Sequence, residues 1–185
     1  MIETNQQELN LTYKVCVFGD KLVGKTTLIN RYLTNKFHEN ILATLGAAIH
    51  IKVLEVEGGK VTLQVWDFGG ENKFKFLISS YAQGSSGGIF VFDLTNYQSM
   101  INIIDWIPEF RKISSNIPLI MVGSKLDLEE ERTCTREEAI DLMQLHGLNG
   151  YMECSSKTGV NVESIFKILL KEILNHRGYS HLKLK

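Results

Sequence analysis

No apolar run in these 185 residues approaches the ~20 needed to span a bilayer, so a transmembrane helix is not expected. Met1–Thr12 is polar and acidic and lacks the basic start and apolar centre of a secretory leader. Ile2 in second position excludes N-myristoylation, and the end His181-Leu-Lys-Leu-Lys185 offers no cysteine to a prenyl group. No lipid anchor is expected from this sequence, and a cytoplasmic location, soluble or reached by recruitment to partners, is the consistent reading. Positive charge is not in excess either. Twenty Lys and Arg against 21 Asp and Glu leave a net charge of −1, with no basic stripe of the kind a nucleic-acid binder presents. The cysteines are three, an odd number, and Cys16, Cys134 and Cys154 lack the paired spacing of metal sites, so reduced and mostly buried thiols are expected. Internal repeats and low-complexity stretches are missing, and a chain of this length with 44% apolar residues suits one domain with its own core.

Against these absences stands Gly19-Asp20-Lys21-Leu22-Val23-Gly24-Lys25-Thr26, a complete G-x-x-x-x-G-K-[ST] pattern between the strand-like Tyr13–Phe18 and the helix-like Lys25–Asn35. Its glycines let the backbone turn tightly enough for successive N–H groups, from Lys21 through Val23 and Gly24 to Thr27, to face one point, and the helix aims its positive end there. That is a cradle for phosphate. Lys25 adds a mobile charge for the outer phosphates, and the Thr26 hydroxyl is a hard oxygen ligand for Mg²⁺. Since glycine makes up ~7% of residues, so full a match arises by accident in about one chain in a hundred.

The rest of the chain alternates strand and helix signals. Phe37–Gly46 has no period and reads as a loop crossing the nucleotide site. Ala47–Val56 and Val61–Asp67 alternate around Glu57-Gly58-Gly59-Lys60, which signals an antiparallel hairpin. Phe68–Gly84 is irregular, anchored by Phe74, Phe76 and Leu77. Gly88–Asp93 and Pro118–Gly123 read as strands buried on both faces. Between them Met100, Ile103, Ile104, Ile107 and Phe110 keep helical spacing, and Pro108 is expected to bend that helix. Thr135-Arg-Glu-Glu138 is a capping box, Gly147 a helix stop, Tyr151–Cys154 a last strand, and Val162, Ile165, Phe166, Leu169 and Ile173 the stripe of a final helix. The predicted architecture is α/β: a mostly parallel six-stranded sheet with one antiparallel edge strand and helices on both faces. Residues 1–12 are expected to be a disordered head, 13–176 the domain and 177–185 a short tail.

In such a sheet ligands bind beyond the carboxyl ends of the strands. Asp67 ends a strand there, where a carboxylate can accept from a Mg²⁺-bound water, and Gly69-Gly70 lets an N–H approach a terminal phosphate oxygen. In Ser124-Lys125-Leu126-Asp127 the aspartate can accept two hydrogen bonds from the N1–H and 2-amino group of guanine, a donor pair that adenine does not offer. Ser155-Ser156-Lys157 can bring a backbone N–H to the guanine O6, with the stems of Lys125 and Lys157 along the ring faces.

These motifs, in this order, resemble those of the Ras superfamily of small GTPases, and most of all its Rab branch, over about residues 13–176. Gly19–Thr26 matches the first guanine-nucleotide motif, Thr44 the threonine of the first switch, Trp66–Glu71 the third motif, and Ser124–Asp127 with Glu153–Lys157 the two base motifs. Thr44-Leu-Gly46, Phe74–Tyr81 and Gly88–Asn96 carry the Rab flavour. The resemblance implies a P-loop GTPase fold and a GTP/GDP switch hydrolysing GTP with Mg²⁺. It assigns Thr26 and Thr44 to the metal, with Asp67 behind a water, Lys25 to the β and γ phosphates, Phe37 to the guanine, and Lys25, Thr44, Gly70 and position 71 to catalysis. Partners reading the switches at about 37–46 and 68–84 would be an exchange factor, an activating protein and effectors, on a monomer.

Several residues depart from the family. Glu71 replaces the glutamine that orients the attacking water; a carboxylate cannot donate as that amide does and brings like charge toward the γ-phosphate, so slow intrinsic hydrolysis is expected. Ser124 replaces the asparagine that ties the base loop to the phosphate loop. Lys21 and Leu22 occupy loop positions that are often small, and Ile49 replaces an aromatic met by Rab effectors, although Trp66 and Tyr81 remain. A hydrolysis-deficient guanine-nucleotide scaffold is the alternative, and a small-metabolite kinase a third reading that lacks its arginine-rich lid.

Overall fold

The computed structural model describes residues 8–39, 44–70, 78–112 and 116–185. Glu71, Phe74, Phe76 and Leu77 lie outside the described residues.

The order along the chain is β1 (Leu9–Phe18), α1 (Lys25–Thr34), β2 (Ala47–Val56), β3 (Gly59–Phe68), the short α2 (Ile78–Tyr81), β4 (Gly87–Asp93), α3 (Tyr97–Ile101), α4 (Ile103–Arg111), β5 (Leu119–Ser124), a 3₁₀ segment Leu126–Glu131, α5 (Arg136–Leu145), β6 (Gly150–Glu153) and α6 (Val162–His176). The six strands form one sheet in the order β2-β3-β1-β4-β5-β6. Only the hairpin pair β2·β3 is antiparallel, and β1·β3, β1·β4, β4·β5 and β5·β6 are parallel, so the predicted sheet is the one observed.

Each face of the sheet carries its own apolar layer. On one, α1 and α6 bury Leu28, Ile29, Ile165, Phe166, Leu169 and Ile173 against Val15, Val17, Ile89 and Val91. Tyr32 and Phe166 stack with centroids 3.8 Å apart and planes 8° from parallel, a pair worth about 1 kcal/mol beyond its buried area. On the other, α4 and α5 cover Phe18, Phe90, Phe92 and Met121 with Trp106, Phe110 and Ala139. β4 and β5 are therefore buried on both sides along their whole length, which is why they read as continuous apolar runs rather than alternating ones.

Local chemistry sets the ends. Thr135 and Glu138 exchange side-chain and backbone hydrogen bonds as a capping box for α5. At its other end Gly147, at φ +62°, lets Leu148 N–H reach Met143 O at 3.0 Å and its own N–H reach Gln144 O at 3.1 Å.

Two sequence expectations change. β1 starts at Leu9 rather than Tyr13, because Leu9–Thr12 find partners in Gly59–Thr62 of β3; the expected disordered head thus does not reach Thr12. The helix expected to bend at Pro108 is two helices instead, parted at Asn102, and Pro108 sits inside α4. Asn102 ends α3 with ψ near 0°, so the chain turns upstream of the proline.

The tail folds back. Tyr179, Leu182 and Leu184 rest on the α1/α6 layer, and Leu184 bridges Val56 at the edge of the sheet. Glu57 N–H donates to Lys183 O at 2.9 Å and Lys185 N–H to Glu55 O at 3.1 Å. None of the helices among the described residues is long and apolar enough to cross a membrane.

Candidate functional site

The glycine-rich loop and the ends of β3, β4, β5 and β6 meet at one edge of the sheet, as the topology requires. Gly19 at φ +135° and Gly24 at φ +93° adopt backbone geometry that an L side chain resists. Leu22 does so without being glycine, at φ +64° and 78% exposed, a conformation that costs about 1–2 kcal/mol. This explains why a small residue suits the position.

Lys25 turns back over the loop, its Nζ donating to Gly19 O at 3.0 Å and Asp20 O at 2.5 Å. Burial pushes its ammonium down to about 8, against the pull of Asp67 and Asp20. An anion beside Lys25 raises that value again, so binding phosphates above pH 8 must first restore the proton. Affinity for a polyphosphate is accordingly expected to fall as pH rises through about 8, by up to ~tenfold per unit. Titration calorimetry in buffers of different ionisation heat, from pH 7 to 9.5, should show proton uptake growing with the loss.

Thr26, Thr44 and Asp67 converge. Both threonine hydroxyls reach Asp67 Oδ2, at 2.5 Å from Thr26 and 3.0 Å from Thr44, and lie 2.8 Å from each other. Two hydroxyl protons serve three oxygen–oxygen contacts, while Asp67 Oδ1 is buried with no hydrogen-bond partner among the described residues. Burial raises the Asp67 carboxyl, opposed by hydrogen bonds from Thr26 and Thr44 and by the charges of Lys25 and His50. Unspent acceptor capacity on hard oxygens is what Mg²⁺ satisfies. The 2.8 Å separation of the threonine oxygens also matches adjacent ligands of an octahedron with metal–oxygen distances of ~2.0–2.1 Å, which lie about 2.9 Å apart. The residues present fit that ion.

Gly70 lies flush against the phosphate loop. A Cβ there would overlap Asp20 C and O and Lys21 N, all main chain, so only glycine permits this approach.

Beside the loop opens a cavity of about 270 Å³ lined by Gly24, Thr27, Phe37, Ser124, Lys125, Asp127, Ser156 and Lys157, with His38, Glu39 and Leu128. It brings together most of the residues that the sequence assigned to a base. Ser155 Oγ donates to Asp127 Oδ1 at 2.5 Å and accepts from Thr158 N–H at 3.1 Å, which fixes the carboxylate's direction. Leu126 N–H donates to Cys154 O at 3.0 Å and joins the two base loops. Ser124, which stands where the family's asparagine ties the base loop to the phosphate loop, also reaches that loop. Its Oγ is 2.5 Å from Val23 O and 2.9 Å from Phe92 O, and with one proton it can serve either carbonyl, so a link from β5 to the phosphate loop is in place.

Other residues belong to the site although the motifs do not include them. Asp93, at the end of β4, holds Lys125 Nζ at 2.6 Å and so aligns the lysine stem along the cavity. An acid ending a buried strand was the available signal, as at Asp67. Arg132, just past the 3₁₀ segment, bonds Glu153 at 2.8 Å and Glu129 at 2.8 Å, and Tyr151 donates to Glu153 at 2.7 Å. Burial pushes the Glu153 carboxyl up, but the hydrogen bonds from Arg132 and Tyr151 and the charges of Arg132 and Arg136 outweigh it and hold it below 4.5. A depressed acid stabilises the fold above its unfolded value and loses that contribution as pH falls through the folded one. Glu153→Gln is therefore expected to cost about 2 kcal/mol at pH 7 and to flatten the loss of stability below pH ~4.5, measured by urea unfolding from pH 7 to 3.

Residues 14–175 match the family described as the Ras family. The chain is 35% identical over 167 residues to the Ras-related protein Rab-13 of Canis lupus familiaris, covering 90% of this chain and 82% of that one. It is 35% identical over 170 residues to Rab-19 of Xenopus laevis, covering 91% and 80%, and 36% identical over 174 residues to RABC1 of Arabidopsis thaliana, covering 92% and 81%.

Proposed function

Because this chain belongs to the Ras family of small GTPases, nearest its Rab branch, we propose that it is a GTP/GDP switch that hydrolyses GTP to GDP and phosphate and whose two switch segments are read by other proteins. One observation carries the reading. The cavity assigned to the base is lined by Gly24 and Thr27 of the phosphate-loop segment, which supports a base and its phosphates binding side by side.

In this reading Asp127 accepts from the guanine N1–H and 2-amino group, Phe37 covers the ring, and Lys125 and Lys157 flank it. A backbone N–H of Ser155-Ser156-Lys157 meets O6. Lys21–Thr27 offer their N–H groups to the phosphates, and Lys25 neutralises the β and γ oxygens. Thr26 and Thr44 would hold Mg²⁺, with Asp67 behind a water; bound there, the ion neutralises charge on the transferring phosphate. Thr44 and the Gly70 N–H sense the γ-phosphate and release on its loss, which is how a phosphate group biases two loops at once. Ile49 is 54% exposed and stands opposite Trp66 in the hairpin register. The Trp66 ring lies 6.2 Å from Tyr81. This trio is the surface on which effectors, an exchange factor and an activating protein would read the switches, on a monomer working in the cytoplasm or recruited from it.

Mass spectrometry of nucleotide released by denaturing the purified protein tests the reading. Guanine nucleotide near one per chain is the expected result, and adenine nucleotide or none overturns it.

Glu71 supports a second reading, a scaffold that holds guanine nucleotide and scarcely turns it over. Prolonged incubation with GTP and Mg²⁺ separates the two: GDP accumulates on a switch and stays at trace level on a scaffold. Glu71→Gln is expected to raise the single-turnover rate about tenfold, the scale of one better-oriented water. No gain would remove the carboxylate as the cause of slow hydrolysis.

A further inference from the structure

Resting on the guanine-nucleotide reading, we propose that Asp20 is a positioning residue through which the junction of α3 and α4 fixes the phosphate loop, and with it the hold on nucleotide. Asp20 is the second residue of that loop, yet its side chain serves a different part of the molecule. Asn102 Nδ2 donates to Asp20 Oδ2 at 2.6 Å, and Trp106 Nε1 donates to Asp20 Oδ1 at 2.8 Å. Both carboxylate oxygens are thus engaged, one by the residue at the helix break and the other by α4.

Those donors are themselves held. Asn102 Oδ1 accepts from Gln98 Nε2 at 2.8 Å, which leaves the amide nitrogen to face Asp20. Trp106 is 1% exposed, and its ring lies 6.2 Å from Phe18 at the end of β1. Asn102 at the break and Trp106 one helical turn on thus set an amide and an indole on one carboxylate.

The main chain of Asp20 faces the chemistry. Its carbonyl accepts from Lys25 Nζ at 2.5 Å, and Gly70 packs on the peptide joining Asp20 to Lys21. A single residue therefore touches the α3–α4 junction, the phosphate-binding lysine and the start of the second switch. The N–H groups from Lys21 onward bind phosphate only when the loop keeps one orientation, and charge-assisted hydrogen bonds from fixed donors resist its rotation. Side chains at the α3–α4 junction then govern how long nucleotide stays.

The test uses the full chain loaded with a fluorescent GDP derivative and chased with excess GDP. Melting temperatures are recorded for wild type, Asp20→Ala, Asn102→Ala, Trp106→Phe and the exchanged pair Asp20→Asn/Asn102→Asp. Asp20→Ala and Trp106→Phe are expected to release nucleotide about tenfold faster, the scale of one charge-assisted hydrogen bond. The exchanged pair should return to within about threefold of wild type, because the amide at 20 can donate to the carboxylate at 102 while its oxygen still accepts from Trp106. Single variants that melt earlier but release at the wild-type rate would reduce Asp20 to a packing residue and overturn the proposal, as would an exchanged pair no slower than the singles. Failure of the wild type itself to take up guanine nucleotide overturns the functional reading and this inference together, and is visible before any variant is made.

Discussion

A Gly70→Ala variant is expected to hydrolyse GTP at least ~100-fold more slowly than wild type while keeping GDP affinity within about tenfold. The asymmetry follows from what the added carbon meets. Its neighbours are main-chain atoms of Asp20 and Lys21, which cannot rotate aside as a side chain would. The segment after β3 must therefore lift off the phosphate loop, taking its N–H away from the terminal phosphate oxygen. Loss of one placed donor at a site of developing charge costs ~10²–10³ in rate. In the proposed reading GDP lacks that phosphate and rests on the cradle and the base cavity, so it forgoes no hydrogen bond from the Gly70 N–H, and only the pressure of the added carbon on the Asp20–Lys21 peptide reaches it. Single-turnover hydrolysis beside GDP displacement reads both numbers, and a variant that hydrolysed at the wild-type rate would place the Gly70 N–H away from the reacting phosphate.

Asp127→Asn should lower GDP affinity by about 10²–10³, the worth of two hydrogen bonds to a charged acceptor. The substitution is nearly isosteric, so the contact from Ser155 Oγ can persist and packing around the cavity is kept. What changes is that one acceptor becomes a donor, facing a 2-amino group that also donates. Xanthosine diphosphate carries a carbonyl there and should lose far less, or gain. Parallel titrations with the two nucleotides separate a change of recognition from a general weakening, since a damaged fold would weaken both alike.

The architecture was legible because its cues are local. Period, turn residues and the Thr135–Glu138 box foretell the strands, the hairpin and α5, and the phosphate loop names its own position. Asp67 and Asp127 could be placed at strand ends for the same reason. What stayed hidden depends on pairings distant in sequence. Asp20 with Trp106, Asp93 with Lys125, and Arg132 with Glu153 join residues whose one-dimensional neighbourhoods do not mention each other. The break at Asn102 escaped notice because proline is the louder signal, whereas the residue at the break is engaged by a carboxylate from a distant loop. Ser124 is a further case: its short hydroxyl, on a buried strand end, reaches Val23 O directly, a pairing 101 residues apart in sequence.

The hairpin of β2 and β3 gives the seated tail a use. Ten residues in each strand span about 33 Å, from the neighbourhood of Thr44 and Asp67 to the turn where Glu57 gives its amide proton to Lys183 of the folded-back chain and Lys185 gives its own to Glu55 of β2. A lengthwise slip of β2 at the nucleotide end would unseat those two amides at the other. If the last phosphoryl group moves β2 in that way, deuterium uptake at the two amides would read its arrival and departure without touching the catalytic loops.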